Sequence, residues 1–278
     1  MNRSRFHVLF FIFFVLAGTG LILINISLSK TSIKENITLP SATPFNPFPY
    51  KRPTIPSKRS YLTVLVGDSM TEALGVNANQ LRLDLISLYP NNEFVNYNYG
   101  FGSTNILSVP DRLSIGSVYL GNPYPPILTQ GFDLIIIESF AYNPLSQFPV
   151  SVGLQKDEET LDSIVKEIII KHPESIIALM TPIAPNKETF AKGTVNLTPA
   201  QRNEWVSERL AYIQKHIDYA KARNLPLINV YEKSLTANGD GDPKYINQTD
   251  NIHPSVAGIQ LICKTIADFI YQNQFFPY

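Results

Sequence analysis

From Tyr61 onward, short apolar runs alternate with longer stretches whose apolar residues recur at helical spacing. The apolar runs are YLTVLV (61–66), EFVNYN (93–98), DLIIIES (133–139), SIIALMT (175–181) and PLINVY (226–231). They are rich in Val, Ile and Leu without strict alternation, as in parallel strands covered on both faces. Between them the spacing predicts helices over about 71–89, 104–113, 157–172, 199–223 and 254–274. The clearest is 199–223, with Thr198 as a candidate cap and Pro199 at the first helical position. Strand and helix alternating five times predict a doubly wound α/β domain, a five-stranded parallel sheet with right-handed crossovers. Ligands of such sheets bind beyond the carboxyl ends of the strands, near the topological switch point.

Residues before Tyr61 follow a different pattern. The run FHVLFFIFFVLAGTGLILINISLS (6–29) holds no Lys, Arg, Asp or Glu. As a helix rising about 1.5 Å per residue it is long enough to cross a hydrocarbon core of about 30 Å. A cleaved signal peptide has a shorter apolar stretch, of about 7–15 residues. Residues 1–30 are therefore expected to form an uncleaved membrane anchor, with a weak cleavage site at Ala17-Gly18-Thr19 as the alternative, which would release a secreted protein. No cysteine follows the run, so there is no lipobox. Arg3 and Arg5 favour a cytoplasmic N-terminus, and Lys30 and Lys34 weaken that bias. The body of the chain is expected outside the cytoplasm, tied to the membrane through this helix. Residues 31–60 carry prolines at 40, 44, 47, 49, 53 and 56 and predict a stiff extended linker, whose aromatics Phe45, Phe48 and Tyr50 offer the domain a packing surface. Residues 61–278 then form the folded domain.

Composition narrows the functional classes. With 23 basic and 23 acidic residues the formal charge is zero, which argues against a nucleic-acid binder. The only cysteine, Cys263, rules out a disulfide within the chain and any thiolate metal cluster. Its setting, GIQLICKTIADFI, reads as a buried apolar position. NGDGDPKY (238–245) faintly resembles a calcium loop through Asp240 and Asp242, but it lacks the spaced ligands and terminal Glu of an EF-hand and reads as a polar turn. The tripeptides NIS, NIT, NLT and NQT match the glycosylation sequon and carry meaning only in a suitable secretory host.

The candidate chemistry starts at VGDSMTE (66–72), directly after the first apolar run. Ser69 has two readings. It could cap the following helix, with Glu72 completing a capping box, although Asp68 and Thr71 could also serve as caps. It could instead be a nucleophile beside free helix-terminal amides that would stabilise an oxyanion. A nucleophile needs a base, and there are four histidines. His7 lies in the apolar run, His172 closes a predicted helix as a surface residue, and His216 sits mid-helix. Only His253, in TDNIHPSVAG, has a carboxylate nearby in a loop at the sheet edge. Asp250, three residues upstream, could accept the imidazole Nδ1–H and leave Nε2 to take the serine proton.

Taken together, VGDSMTE, NYGFGSTNI, IIIESFAYNP and DNIHPS resemble, in order and spacing, the four blocks of the SGNH hydrolases, the GDSL-type esterases and lipases. The resemblance covers residues 61 to 278 and implies a three-layer α/β/α, flavodoxin-like sandwich. It implies that Ser69 is the nucleophile of a triad with His253 and Asp250, and that its own amide belongs to the oxyanion hole. The second block implies a glycine N–H as a further donor. Gly102 fits it better than Gly100, which reads as a turn glycine needing positive φ. In the third block Asn143 is retained as a side-chain donor, whereas Ala141 and Pro144 replace the usual glycine and aspartate. Those two departures bear on loop shape and the substrate pocket.

Three donors, a base and a hydroxyl suit ester cleavage, with no metal or organic cofactor. The expected activity is a membrane-tethered extracytoplasmic serine esterase acting on an acylated glycan or lipid, with O-acetyl groups of surface glycans preferred. The same residues would serve an O-acyltransferase. A non-catalytic glycan-binding module is a third reading, favoured only by the altered third block. A flavodoxin-like cofactor binder is disfavoured because GDSM puts a carboxylate where phosphate would sit. The aromatics of GNPYPPI and QFPV read either as cleft lining or as loop cover. The sequence carries no signal for an oligomeric state.

Overall fold

The computed structural model describes residues 46–278. The apolar run 6–29, with the anchor and cleavage readings placed on it, lies outside the described residues, as does the linker up to residue 45. Among the described residues no helix is long and apolar enough to cross a membrane.

Among the described residues seven strands and seven α-helices follow one another as β1 (Ser60–Gly67), α1 (Ser69–Glu72), α2 (Asn79–Leu88), β2 (Glu93–Gly100), α3 (Val109–Ser114), β3 (Ser117–Tyr119), β4 (Asn122–Tyr124), β5 (Leu134–Glu138), α4 (Val150–Lys171), β6 (Ile176–Met180), α5 (Pro199–Arg223), β7 (Leu227–Ile228), α6 (Val230–Lys233) and α7 (Val256–Gln272). The main sheet has five strands in the order β2-β1-β5-β6-β7, all parallel. β3 and β4 form a separate antiparallel hairpin.

Successive strand residues point to opposite faces, so each central strand feeds two cores. Leu65, Leu134, Ile136, Ala178 and Met180 join Leu81, Leu85, Ile262 and Ile266 of α2 and α7. Val64, Val66, Ile135, Ile137, Ile177 and Leu179 join Val109, Leu113, Ile164 and Ile168 of α3 and α4. Every position of β5 and β6 is buried, which explains their unbroken apolar sequence. The result is the expected three-layer α/β/α arrangement. Strand order reverses between β1 and β5, so the crevice beyond their carboxyl ends is the switch point.

Several elements differ from the sequence reading. The helix expected over 71–89 is broken into α1 and α2, because Asn98 Nδ2 donates to the carbonyls of Thr71 and Gly75, both at 2.8 Å, and Gly75 and Ala78 take positive φ. The strand expected over 226–231 keeps only Leu227–Ile228, because Asn229 caps α6 by accepting from the Glu232 amide. Helix α4 starts at Val150, seven residues before the expected 157, and α5 spans the predicted 199–223. The described part of the proline-rich stretch does not stand off as a spacer. Tyr50 and Ile55 are buried, Tyr50 donates its amide to the Arg223 carbonyl, and its hydroxyl accepts from the Ile177 amide. Proline backbones lay the segment out, and the two large side chains bind it to the domain.

Candidate active site

The end of β1 turns straight into α1. Gly67 is required there, since a Cβ would meet the Thr71 side chain at 2.0 Å. Asp68 is the cap of α1: its Oδ1 accepts from the Met70 amide at 2.8 Å. Ser69 is thus the first helical residue and not the cap, and its half-buried side chain is left for other work. Among the described residues neither its amide nor its hydroxyl is hydrogen-bonded within the chain.

Behind Ser69 lies a polar cluster closed to water. Asp68, Glu138 and Arg112 are all buried. The Asp68 amide faces Glu138 Oε2 at 3.5 Å, and Asn143 Nδ2 donates to Asp68 Oδ2 at 2.9 Å. Burial raises both carboxyls, and the Asp68 charge pushes Glu138 well above the usual range. Asp68 has the Met70 and Asn143 donors that favour its charged form, so the proton resides on Glu138. Arg112 supplies the countercharge. Its guanidinium donates to the carbonyls of Gly67 and Tyr99 at 2.8 Å each, to Ser108 Oγ at 2.7 Å and to Thr104 Oγ1. It packs between Phe101 and Phe140, 4.4 and 5.6 Å from the ring centres. Burial lowers its pKa to about 10, which leaves it charged at neutral pH. One buried cation therefore ties together the ends of β1 and β2 and the loop that follows.

Asn143 hangs from a tight turn after β5, its amide bonded to the Phe140 carbonyl at 3.0 Å. Phe140, and not the residue at the usual glycine position, takes the positive φ of 55°. Ala141 is fully buried, so only a small side chain fits there. This is how the altered third block keeps Asn143 beside Asp68.

The second block behaves differently from expectation. Gly100 does not take positive φ. It is needed because α1 passes so close that a Cβ would meet the Glu72 amide nitrogen at 2.3 Å, and its own amide donates to Asn98 Oδ1. The Gly102 amide, the expected oxyanion donor, is already engaged, donating to Tyr119 Oη at 2.8 Å. That hydroxyl in turn donates to Glu72 Oε1 at 2.8 Å. Tyr119 comes from the β3–β4 hairpin and stacks on Phe101 with centroids 4.5 Å apart. Glu72 is therefore the partner of Tyr119 and not part of a capping box.

His253 and Asp250 occupy the loop before α7. Asp250 Oδ1 accepts from the Ile252 and His253 amides at 2.8 and 3.0 Å, and Oδ2 meets His253 Nδ1 at 2.9 Å. Partial burial would raise the Asp250 pKa, but the imidazole and the two amides outweigh it and hold the carboxyl below its usual range. An ionised Asp250 accepts a hydrogen bond from His253 Nδ1–H, which fixes the tautomer and leaves Nε2 as the basic nitrogen. Among the described residues no hydrogen bond joins His253 to Ser69.

The other candidates resolve simply. His172 is not a surface residue: it stacks on Phe132 at 4.4 Å, with Nε2 3.0 Å from the Leu128 carbonyl. His216 is buried, its pKa lowered to about 4 by desolvation, hence neutral. Cys263 is buried and its thiol is pushed up to about 12. Asp240 and Asp242 accept from the Gly241 and Lys244 amides within a turn, and Asp240 also from the Lys187 amide of a distant loop. Arg112, Glu138 and Tyr119 are the residues the sequence reading did not single out, and Glu72 was read there only as a capping-box partner.

No protein-family model and no curated protein sequence matches the chain. Solved structures do. The fold is similar to that of a lipase/acylhydrolase from Enterococcus faecalis, at TM-score 0.53 and 18% identity over 77% of this chain and 96% of that one. It is also similar to an acetylxylan esterase from Geobacillus stearothermophilus, at TM-score 0.54 and 19% identity over 78% and 96%. A GDSL-like lipase from Bacteroides thetaiotaomicron gives TM-score 0.51 and 14% identity over 78% and 91%. The chain thus has the fold of the GDSL, or SGNH, lipases and esterases across most of its length.

Proposed function

We propose that the chain is a serine esterase that hydrolyses carboxylic esters, with Ser69 as nucleophile, His253 as general base and acid, and Asp250 as the group that orients the imidazole. The observation that carries this reading is the 2.9 Å contact of Asp250 with His253 Nδ1, in a chain whose Ser69 opens the helix after β1 with its hydroxyl free of hydrogen bonds among the described residues. His253 Nε2 takes the Ser69 proton as Oγ attacks the ester carbonyl. The developing oxyanion is met by the Ser69 amide and the second hydrogen of Asn143 Nδ2, and by the Gly102 amide once Tyr119 has yielded. His253 then protonates the leaving alcohol, and a water activated by the same nitrogen releases the acid.

Acetyl groups on a glycan are the preferred ester, a reading that the fold likeness to an acetylxylan esterase supports. The apolar run 6–29 would hold the domain at a membrane, outside the cytoplasm. The test is release of p-nitrophenol from short acyl esters by residues 46–278, wild type beside Ser69→Ala. Activity that falls about 10⁴-fold or more in a folded Ser69→Ala protein is the expected result. Equal turnover by both proteins would remove Ser69 as the nucleophile.

A further inference from the structure

Helix α5 is 25 residues long, and its first turns rise on the carboxyl side of the sheet, next to the loop that carries Asn143. Between that loop and the helix lies a cleft of about 760 Å³, within the range of about 300–1,000 Å³ common for small-molecule sites. Its walls include Ser146, Phe148, Gln201, Trp205, Glu208 and Arg209. A line of contacts connects it to the candidate active site. Tyr142, next to Asn143, packs on Phe190 with centroids 5.9 Å apart, and the Arg209 guanidinium lies 4.9 Å from the Phe190 ring and 5.1 Å from the Trp205 ring.

Arg209 is the unusual member. It is 8% exposed, yet its Nε has no partner, and its Nη1 is spent on the Trp205 carbonyl at 2.9 Å. Glu208 stands beside it at 3.7 Å, accepting from Ser146 Oγ at 2.9 Å. A buried donor without an acceptor costs free energy that a ligand can recover. An alkyl chain would leave that donor unpaired. An anionic ligand would meet the Glu204 and Glu208 carboxylates that line the same walls. A neutral sugar meets every requirement: hydroxyls that accept from Arg209 and Gln201 and donate to Glu208, and an apolar ring face for the half-exposed indole of Trp205.

We propose that this cleft is a glycan subsite: it binds a neutral sugar ring of an acetylated oligosaccharide, stacked on Trp205 and hydrogen-bonded by Glu208 and Arg209, with the acetyl group directed toward Ser69. This rests on the esterase reading only for the direction of the acetyl group. Trp205 is the only tryptophan in the chain, so emission excited selectively at the indole reports on the cleft.

The experiment titrates residues 46–278 carrying Ser69→Ala with acetylated oligosaccharides of xylose, glucose and N-acetylglucosamine, and follows tryptophan emission. A saturable change with at least one of them, weakened about ten-fold or more by Glu208→Gln, is expected. Silence across the panel at millimolar sugar overturns the subsite, and so does an equal response to short-chain alkyl acetates. With the nucleophile intact, Trp205→Ala should lower kcat/KM on the responding oligosaccharide about ten-fold more than on p-nitrophenyl acetate. An equal loss on both would mean that Trp205 only supports the fold. Emission changes in Ser69→Ala alongside a wild-type protein that is inert toward p-nitrophenyl acetate would sink the esterase reading and leave the subsite standing. Turnover without an emission change would do the reverse.

Discussion

The proposed nucleophile and the proposed base are held in opposite ways. Ser69 sits on a turn anchored from behind by Asp68, Glu138 and Arg112, all buried, with Arg112 bonded to the backbone of both β1 and β2. His253 sits on a surface loop, its side chain 38% exposed, and its orientation depends on one short-range partner, Asp250, itself 25% exposed. The strand side is held by buried bonds that reach across two strands, whereas the His253 loop is held at the surface by the Asp250 carboxylate and by the Asn247–His253 and Ala191–Asn251 backbone bonds. In the proposed reaction the more deeply anchored side carries the atom that forms the covalent bond.

Asp250→Asn attacks the loop side and should have the largest effect. The amide would favour the wrong imidazole tautomer while leaving the loop's backbone bonds nearly intact. We expect kcat on short esters to fall about 10³–10⁴-fold, with an unchanged circular dichroism spectrum. A loss of under ten-fold would mean that His253 is oriented by something other than Asp250. Arg112→Met attacks the strand side and should act on stability first. It removes the cation and leaves the Gly67 and Tyr99 carbonyls and the Asp68 charge uncompensated, a change that costs about 3–5 kcal/mol. Urea unfolding would measure it, and a cost below about 1 kcal/mol would show that the buried network is not what fixes the turn.

The two sides also titrate in opposite senses. Glu138 has a folded pKa well above its ordinary value, chiefly through desolvation and then through the Asp68 charge. Between the two values the folded state binds more protons than the unfolded one, so its contribution is complete below the ordinary pKa and is lost as pH rises. Asp157, raised to about 7 by burial, adds the same slope up to that pH. Asp250 is held below its ordinary value, so its contribution is present above that value and is lost only in acid. His216, lowered to about 4, opposes Asp157 between pH 4 and 6.5. Glu138→Gln keeps the shape of the protonated side chain and should flatten the fall in melting temperature as pH rises above the ordinary carboxylate range. An unchanged fall would assign the slope to other groups.

What was legible in the sequence follows the same division. The strands were legible because β5 and β6 are buried on both faces and so read as unbroken apolar runs. The Asp250–His253 pair was legible because both members lie within one turn of chain. The Asp68–Glu138 pair spans 70 residues, and its character comes from burial, which no local pattern encodes. Arg112 looked like any charged residue of a short helix, since its four partners come from three separate segments. The break between α1 and α2 depended on a tertiary contact from Asn98, which overrides helical spacing. Tyr119 was hidden because its hairpin has strands of only three residues, although Gly116 and Gly121, both at positive φ, mark its bends.

Tyr119 gives the smallest expected effect and the sharpest test of the strand side. In the structure its hydroxyl accepts from the Gly102 amide, the position an ester carbonyl oxygen would need, while its own proton goes to Glu72. Using Gly102 as an oxyanion donor then requires breaking a hydrogen bond with a net worth of about 0.5–1.5 kcal/mol. Tyr119→Phe keeps the stack on Phe101 and removes only the hydroxyl. The amide is freed, and kcat/KM on short esters should rise about two- to ten-fold. A fall of 10²-fold or more would reverse the assignment. The hydroxyl would then be an oxyanion donor in its own right, re-aimed from Glu72 when substrate arrives, and the hairpin would belong to the catalytic machinery rather than stand over it.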